Sequence, residues 1–135
     1  MKYVMSLVVL FSLMGCQANS VSQNTNQPTN QAFYKIISLD SGQHIVVSVP
    51  KQEPESIGSY SVRLYGISEP AFPFDNFISG MIQERDGSIV AVDVIKQSKT
   101  QTIVQIIMQS AGSGGYLQKA HYLIKGRTLT FTGFK

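Results

Sequence analysis

The sequence predicts an all-β domain, an antiparallel β-sandwich or small barrel of about eight strands. Three observations lead there. From Ala32 onward, segment after segment alternates apolar with polar residues or forms a short β-branched run, the period of a half-buried strand. Turn-forming Gly, Asp, Ser and Pro separate these segments at short intervals. No stretch sustains an apolar stripe at helical spacing without also reading as a strand.

The strands expected in order are Ala32–Leu39, His44–Val49, Tyr60–Tyr65, Asn76–Gln83, Ser88–Lys96, Gln101–Ser110, Tyr116–Lys125 and Thr128–Phe134. The first two are joined by Asp40-Ser41-Gly42, a hairpin signal shared with Arg85-Asp86-Gly87 and Lys125-Gly126. Pro50, Pro54, Pro70 and Pro73 fall outside the central strands, as their missing amide donors require. Asn76–Gln83 is ambiguous, because Phe74, Phe77, Ile78 and Met81 also have helical spacing. Val90, Val92 and Val94 should share one face of the fifth strand, opposite Asp93. Val104, Ile106 and Met108 should face the core while Gln105 and Gln109 point away. Leu129 and Phe131 alternate with Thr128, Thr130 and Thr132 in the last strand.

Composition narrows the function. With 43% hydrophobic and 14% charged residues in 135, the chain can build one core and is not a charge-driven disordered protein. A single cysteine excludes an intramolecular disulfide framework and a multi-cysteine zinc site, and two histidines are too few for most histidine metal sites. No metal or other cofactor is expected. The net charge of +3, less the one unit of Lys2, leaves +2, which gives no reason to expect nucleic-acid binding. All acidic residues lie between Asp40 and Asp93, whereas Lys96 to Lys135 holds six cations and no acid. Solvated strand faces explain such a pattern, as does a surface that attracts an anionic partner.

The N-terminus sets the compartment. Met1-Lys2-Tyr3 leads into an apolar run from Val4 to Met14, too short to cross ~30 Å of hydrocarbon but suited to an export signal. Leu13-Met14-Gly15-Cys16 resembles the lipobox of bacterial lipoproteins, which implies cleavage before Cys16 and acylation of that residue. An ordinary signal peptide that happens to contain a cysteine is the alternative. Several acyl chains, at ~0.8 kcal/mol per buried methylene, would anchor the protein durably. Gln17, a non-aspartate after the cysteine, points to the outer rather than the inner membrane under the enteric sorting rule. Residues 17 to 31 carry no charge and no aromatic, so they read as a flexible tether. The expected organisation is therefore a signal over 1–15, a lipidated Cys16 with tether over 16–31, and one β domain over 32–135.

The unusual segment is Ser110-Ala111-Gly112-Ser113-Gly114-Gly115-Tyr116. Gly112, Gly114 and Gly115 permit left-handed backbone and close approach to another body, displaying Ser113 and Tyr116 on a loop held by its flanking strands. A glycine-rich hairpin with a wide turn is the structural alternative. Enzyme motifs do not fit. A phosphate loop needs Gly-Lys-Ser/Thr where Tyr116 stands, and a nucleophile elbow needs glycine where Ala111 stands. His121 and Asp93 could be drafted into a serine triad, but no spacing supports it. No glycosidase carboxylate pair is distinctive either.

Several blocks in this order resemble the periplasmic inhibitors of invertebrate-type lysozyme: Ser56-Ile57-Gly58-Ser59-Tyr60-Ser61-Val62-Arg63-Leu64-Tyr65, Phe74-Asp75-Asn76-Phe77, Arg85-Asp86-Gly87, and Ser110 to Leu117. The last block holds the family's Ser-Gly-x-Tyr loop as Ser113-Gly114-Gly115-Tyr116. The resemblance implies an antiparallel β fold with no catalytic activity of its own, whose loop enters the lysozyme cleft, with Ser113 and Tyr116 as principal contacts and Gly112, Gly114 and Gly115 beside them. It also implies a homodimer as a candidate assembly. Lys119 or Lys125 would add charge complementarity. Tyr122-Leu123-Ile124-Lys125-Gly126 approaches the Tyr-x-x-x-Lys-Gly motif of a related inhibitor family but is one residue short. Lys96-Gln97-Ser98-Lys99-Thr100 departs from the Asp/Gly-rich turn of the family, which argues against metal binding there. The competing reading from another class is an envelope lipoprotein that acts as a structural or assembly subunit.

Overall fold

The computed structural model describes residues 31–135; the export signal, Cys16 and nearly all of the tether expected from the sequence lie outside them. The chain forms β1 (Gln31–Ser38), β2 (His44–Pro50), β3 (Ile57–Tyr65), β4 (Phe77–Asp86), β5 (Ser88–Gln97), β6 (Thr102–Gln109), β7 (Leu117–Lys125) and β8 (Thr128–Phe134). These make two four-stranded antiparallel sheets, ordered β1-β2-β3-β4 and β5-β6-β7-β8. Of the two architectures expected, the molecule adopts the sandwich.

The core lies between the sheets. Ile45, Val47, Tyr60, Val62 and Leu64 of the first sheet meet Val92, Val104, Ile106, Met108 and Tyr122 of the second, all buried. Alternation places them there: in β6 the buried Thr102, Val104, Ile106 and Met108 interleave with half-buried or exposed neighbours. Tyr60 and Tyr122 reach across the interior from opposite sheets, with their hydroxyls 2.6 Å apart. Each phenol thereby satisfies the other in a space that water does not reach.

Four strands carry a register shift: β1 between Gln31 and Phe33, and β4, β5 and β8. In β4, Ile78 has no partner between the Leu64–Ser79 and Tyr65–Phe77 pairs. That shift of parity lets Ile78 and Met81, three apart, both pack on the core, so the helical spacing in this segment belongs to a bulged strand. In β5, Val90 and Ile95 are the unpaired residues. The expected Val90-Val92-Val94 face therefore fails: Val92 is buried opposite Ile106, but Val90 is half exposed, and Ile89 packs on the core in its place. β8 is bulged between its pairings with His121 and Tyr122.

Two further expectations are corrected. Pro50 is the last residue of β2, paired at the strand end with Gln31. Arg85-Asp86-Gly87 is not a hairpin, since β4 and β5 lie in different sheets. Gly87 is the single residue between them, a corner at φ +100° where the chain passes from one layer to the other. The Asp40-Ser41-Gly42 and Lys125-Gly126 segments do form hairpin turns, with Gly42 at φ +81° and Gly126 at φ +54°.

Candidate functional site

β6 and β7 pair from Thr102–Ile124 to Gln109–Leu117, and the segment between Gln109 and Leu117 projects from the end of the sandwich. Its neck is closed by the Ser110 amide, which donates to the Tyr116 carbonyl at 2.9 Å. Its tip is a four-residue turn in which the Gly115 amide donates to the Gly112 carbonyl at 3.1 Å, leaving Ser113 and Gly114 at the apex. Gly115 takes φ +55°, a left-handed backbone that explains glycine at that position. At Gly114 the reason is contact rather than dihedral. A Cβ there would run into the Tyr116 ring, 2.6 Å from Cζ and 2.9 Å from Cδ2. The phenol thus lies along the turn backbone.

Ser113 and Tyr116 are both solvent-exposed, Tyr116 by 77%, and Leu117 beside them by 58%. A rigid aromatic ring and an apolar neighbour standing free in water are surfaces suited to a partner. Below the tip, a groove of about 410 Å³ is lined by Asp86, Ser110, Gly112, Tyr116, Leu117 and Gln118. A larger concavity of about 590 Å³ lies at the opposite pole, among the β1–β2 turn, the segment after β3 and the β7–β8 turn, far from this loop. The distinctive segment is a protrusion, and a protrusion suits a protein that fills another's cleft.

The residues expected to cooperate do not all meet. Ser113, Tyr116, Gly112, Gly114 and Gly115 form one tip. Lys119 is exposed two residues into β7 and on the same strand face as Leu117, close to the loop. Lys125 is paired with Thr128 at the other end of β7, eight residues and ~26 Å from Leu117 at the rise of a strand. The drafted triad is not assembled: His121 is buried on the outer face of its sheet, with the Gln105 amide 2.7 Å from its Nε2. Among the described residues no group of three His, Cys, Asp or Glu could hold a metal ion.

The sequence reading missed the underside of the loop. The Arg85–Gly87 corner abuts its neck: a Cβ on Gly87 would fall 2.6 Å from the Gln109 carbonyl carbon and 2.7 Å from Ser110 Cα. Arg85 itself is buried and hydrogen-bonded to four carbonyls. Topology makes this juxtaposition, because Ser88, next to the corner, pairs with Gln109. In the sequence Arg85 stands between Glu84 and Asp86 at a strand end, the pattern of a solvated charged stretch, so nothing there marked it as buried.

Comparison with known proteins finds relatives of the same fold. A family model described as the periplasmic lysozyme inhibitor of I-type lysozyme, PliI, matches residues 31–132. The crystal structure of that inhibitor from Aeromonas hydrophila, PliI-Ah, is 37% identical with a TM-score of 0.67, covering 76% of this chain and 88% of its own. The Aeromonas hydrophila inhibitor in complex with Meretrix lusoria lysozyme is 38% identical with a TM-score of 0.66, over 76% of this chain and 84% of its own. No curated protein sequence matches the chain.

Proposed function

Because the chain belongs to the family of periplasmic inhibitors of I-type lysozyme, we propose that it inhibits such a lysozyme by inserting the Ser113–Tyr116 turn into the active-site cleft. Proteins of this family are inhibitors rather than enzymes. The observation that carries the loop assignment is the exposed tip itself, in which a serine hydroxyl and a phenol stand on a narrow, hydrogen-bonded turn.

The chemistry follows from what a lysozyme cleft contains. Glycan cleavage uses carboxyl groups in a groove shaped for a sugar chain. The Ser113 hydroxyl and the Tyr116 phenol can each donate to a carboxylate, and the glycine flanks keep the wedge thin enough to enter. A hydrogen bond to a charged group contributes ~1.5–3 kcal/mol, or about ten- to a hundredfold in affinity. The phenol brings its apolar ring at the entropic cost of two torsions, and Leu117 extends the apolar flank. Lys119 supplies positive charge beside the wedge, while Lys125 at the far pole is left out of the contact set.

The reading also includes a lipid anchor at Cys16, residence at the outer membrane and assembly as a homodimer. The anchor is supported by Leu13-Met14-Gly15-Cys16 and the outer membrane by Gln17; the homodimer is supported by family resemblance. Protection of peptidoglycan would be the biological result. The test is a lysis assay with invertebrate-, chicken- and goose-type lysozymes, with and without the purified domain. The Ser113→Ala/Tyr116→Ala double variant, correctly folded, should lose at least ~tenfold in potency against the invertebrate type. Full potency in that variant would end the assignment.

A further inference from the structure

Three glycines in four residues would ordinarily leave a loop with many conformations to lose on binding. This loop has only two backbone hydrogen bonds of its own, one at the neck and one at the tip. Its order must come from what it stands on.

It stands on the corner between the sheets. Gly87 lies so close under Gln109 and Ser110 that no side chain fits between them. Gly87 is gripped from both sides: its amide donates to the Ser56 carbonyl at 2.7 Å, and its carbonyl accepts from Arg85 Nη1 at 2.7 Å. The same guanidinium donates from Nη1 to the Glu55 carbonyl at 2.7 Å, from Nη2 to the Pro54 carbonyl at 2.6 Å and from Nε to the Ser59 carbonyl at 3.1 Å. Glu53 lies 3.8 Å from Nη2 and is itself held by the Ser59 amide and hydroxyl. Nη1 and Nη2 of a side chain only 3% exposed are thus spent on pinning the β2–β3 connection to the corner, and Nε on holding β3 beside it. A planar fork with fixed donor directions can do this, and a lysine ammonium cannot reproduce it.

We propose that Arg85 is a positioning residue for inhibition: through Gly87 it holds the Gln109–Ser110 neck in place and presets the Ser113–Tyr116 wedge before the lysozyme arrives. This rests on the loop-insertion reading given above. Preordering reduces what binding must fix, so its loss appears as a faster dissociation of a complex whose contacts are unchanged.

Two measurements on the wild-type protein and its variants test it. In the wild type, the Ser110 and Gly115 amides should exchange with solvent as slowly as those of β6; rapid exchange there above a protected β6 overturns the proposal without any substitution. Arg85→Lys should raise exchange at those two amides, leave β6 protected, and speed dissociation from an I-type lysozyme ~tenfold. Should that variant not fold, Gly87→Ala perturbs the same contact from the other side and carries the same expectation. Each substitution is then repeated in the Ser113→Ala/Tyr116→Ala background, where a residue acting through the wedge has no further effect on dissociation. Equal acceleration in both backgrounds, or wild-type dissociation from a folded corner variant, overturns the positioning role alone. Full inhibition by Ser113→Ala/Tyr116→Ala overturns the loop reading, and the positioning role falls with it.

Discussion

Gly114→Ala separates function from stability at one atom. The backbone at Gly114 is outside the left-handed region, unlike that of Gly115, so alanine is compatible with it. Restricting the unfolded chain by that methyl group stabilises by ~0.4–1 kcal/mol at such sites. In a domain of this size the melting temperature should hold or rise by a few degrees, roughly 4–8 °C per kcal/mol. The methyl group, however, occupies the position of the Tyr116 ring, 2.6 Å from Cζ, against an ordinary carbon contact of ~3.5–4.0 Å. The ring is exposed and can swing away at little cost to the fold, but it leaves the pose in which it lies against Gly114. Losing one hydrogen bond to a charged cleft group costs ~1.5–3 kcal/mol, so the inhibition constant should rise about ten- to a hundredfold. Calorimetry and a lysis titration on the same preparation provide the check. An inhibition constant within twofold of wild type would refute the reasoning, because the lysozyme would then be engaging some other placement of the phenol.

Two predictions concern the frame. The Tyr60 and Tyr122 hydroxyls are fully buried, and burial pushes both phenols above their ordinary pKa, so each stays a neutral hydrogen-bonding group. Tyr60→Phe or Tyr122→Phe alone should destabilise by ~1–3 kcal/mol in denaturant titrations, and the double variant by much less than the sum; additive losses would contradict a shared bond. Glu53 is held below the usual carboxylate range, first by the Ser59 hydroxyl, then by the Ser59 amide and Arg85. Its contribution is therefore complete above the ordinary value of ~4.3 and is lost as pH falls through the lower folded value. Stability measured across that acid window should fall less steeply in Glu53→Gln, and identical slopes would remove the role given to this carboxylate.

Much of the fold was legible because its signal is local. Alternation or short β-branched runs located the eight strands, though the start of β3 and the end of β4 lay beyond the expected bounds. Val104, Ile106 and Met108 face inward as their spacing requires. Bulges were not legible, because an extra residue at Ile78, Val90 or Ile95 resets parity without a distinctive residue type. The Arg85-Asp86-Gly87 segment illustrates a second limit. A glycine at positive φ serves a hairpin and a corner equally well, and only the assignment of β4 and β5 to different sheets tells them apart. Glycine density marked the wedge and its two polar side chains, but its support comes from residues some twenty positions earlier, brought there by strand pairing. Lys125 shows the reverse case: nine residues after Tyr116 in sequence, yet carried to the far pole by an extended strand.

The single-residue crossing at Gly87 also shapes how such a chain can acquire its structure. Every strand pairs only with its neighbour in sequence, so each half of the molecule is a simple meander that can zip up from its own turns. Short-range pairing keeps the entropic cost of closure low for each half. What remains is one docking event, in which the two meanders meet face to face and exclude water between them. A corner too tight for any side chain then acts as the clasp that sets their relative orientation, so a substitution at Gly87 should slow docking more than it slows formation of either meander.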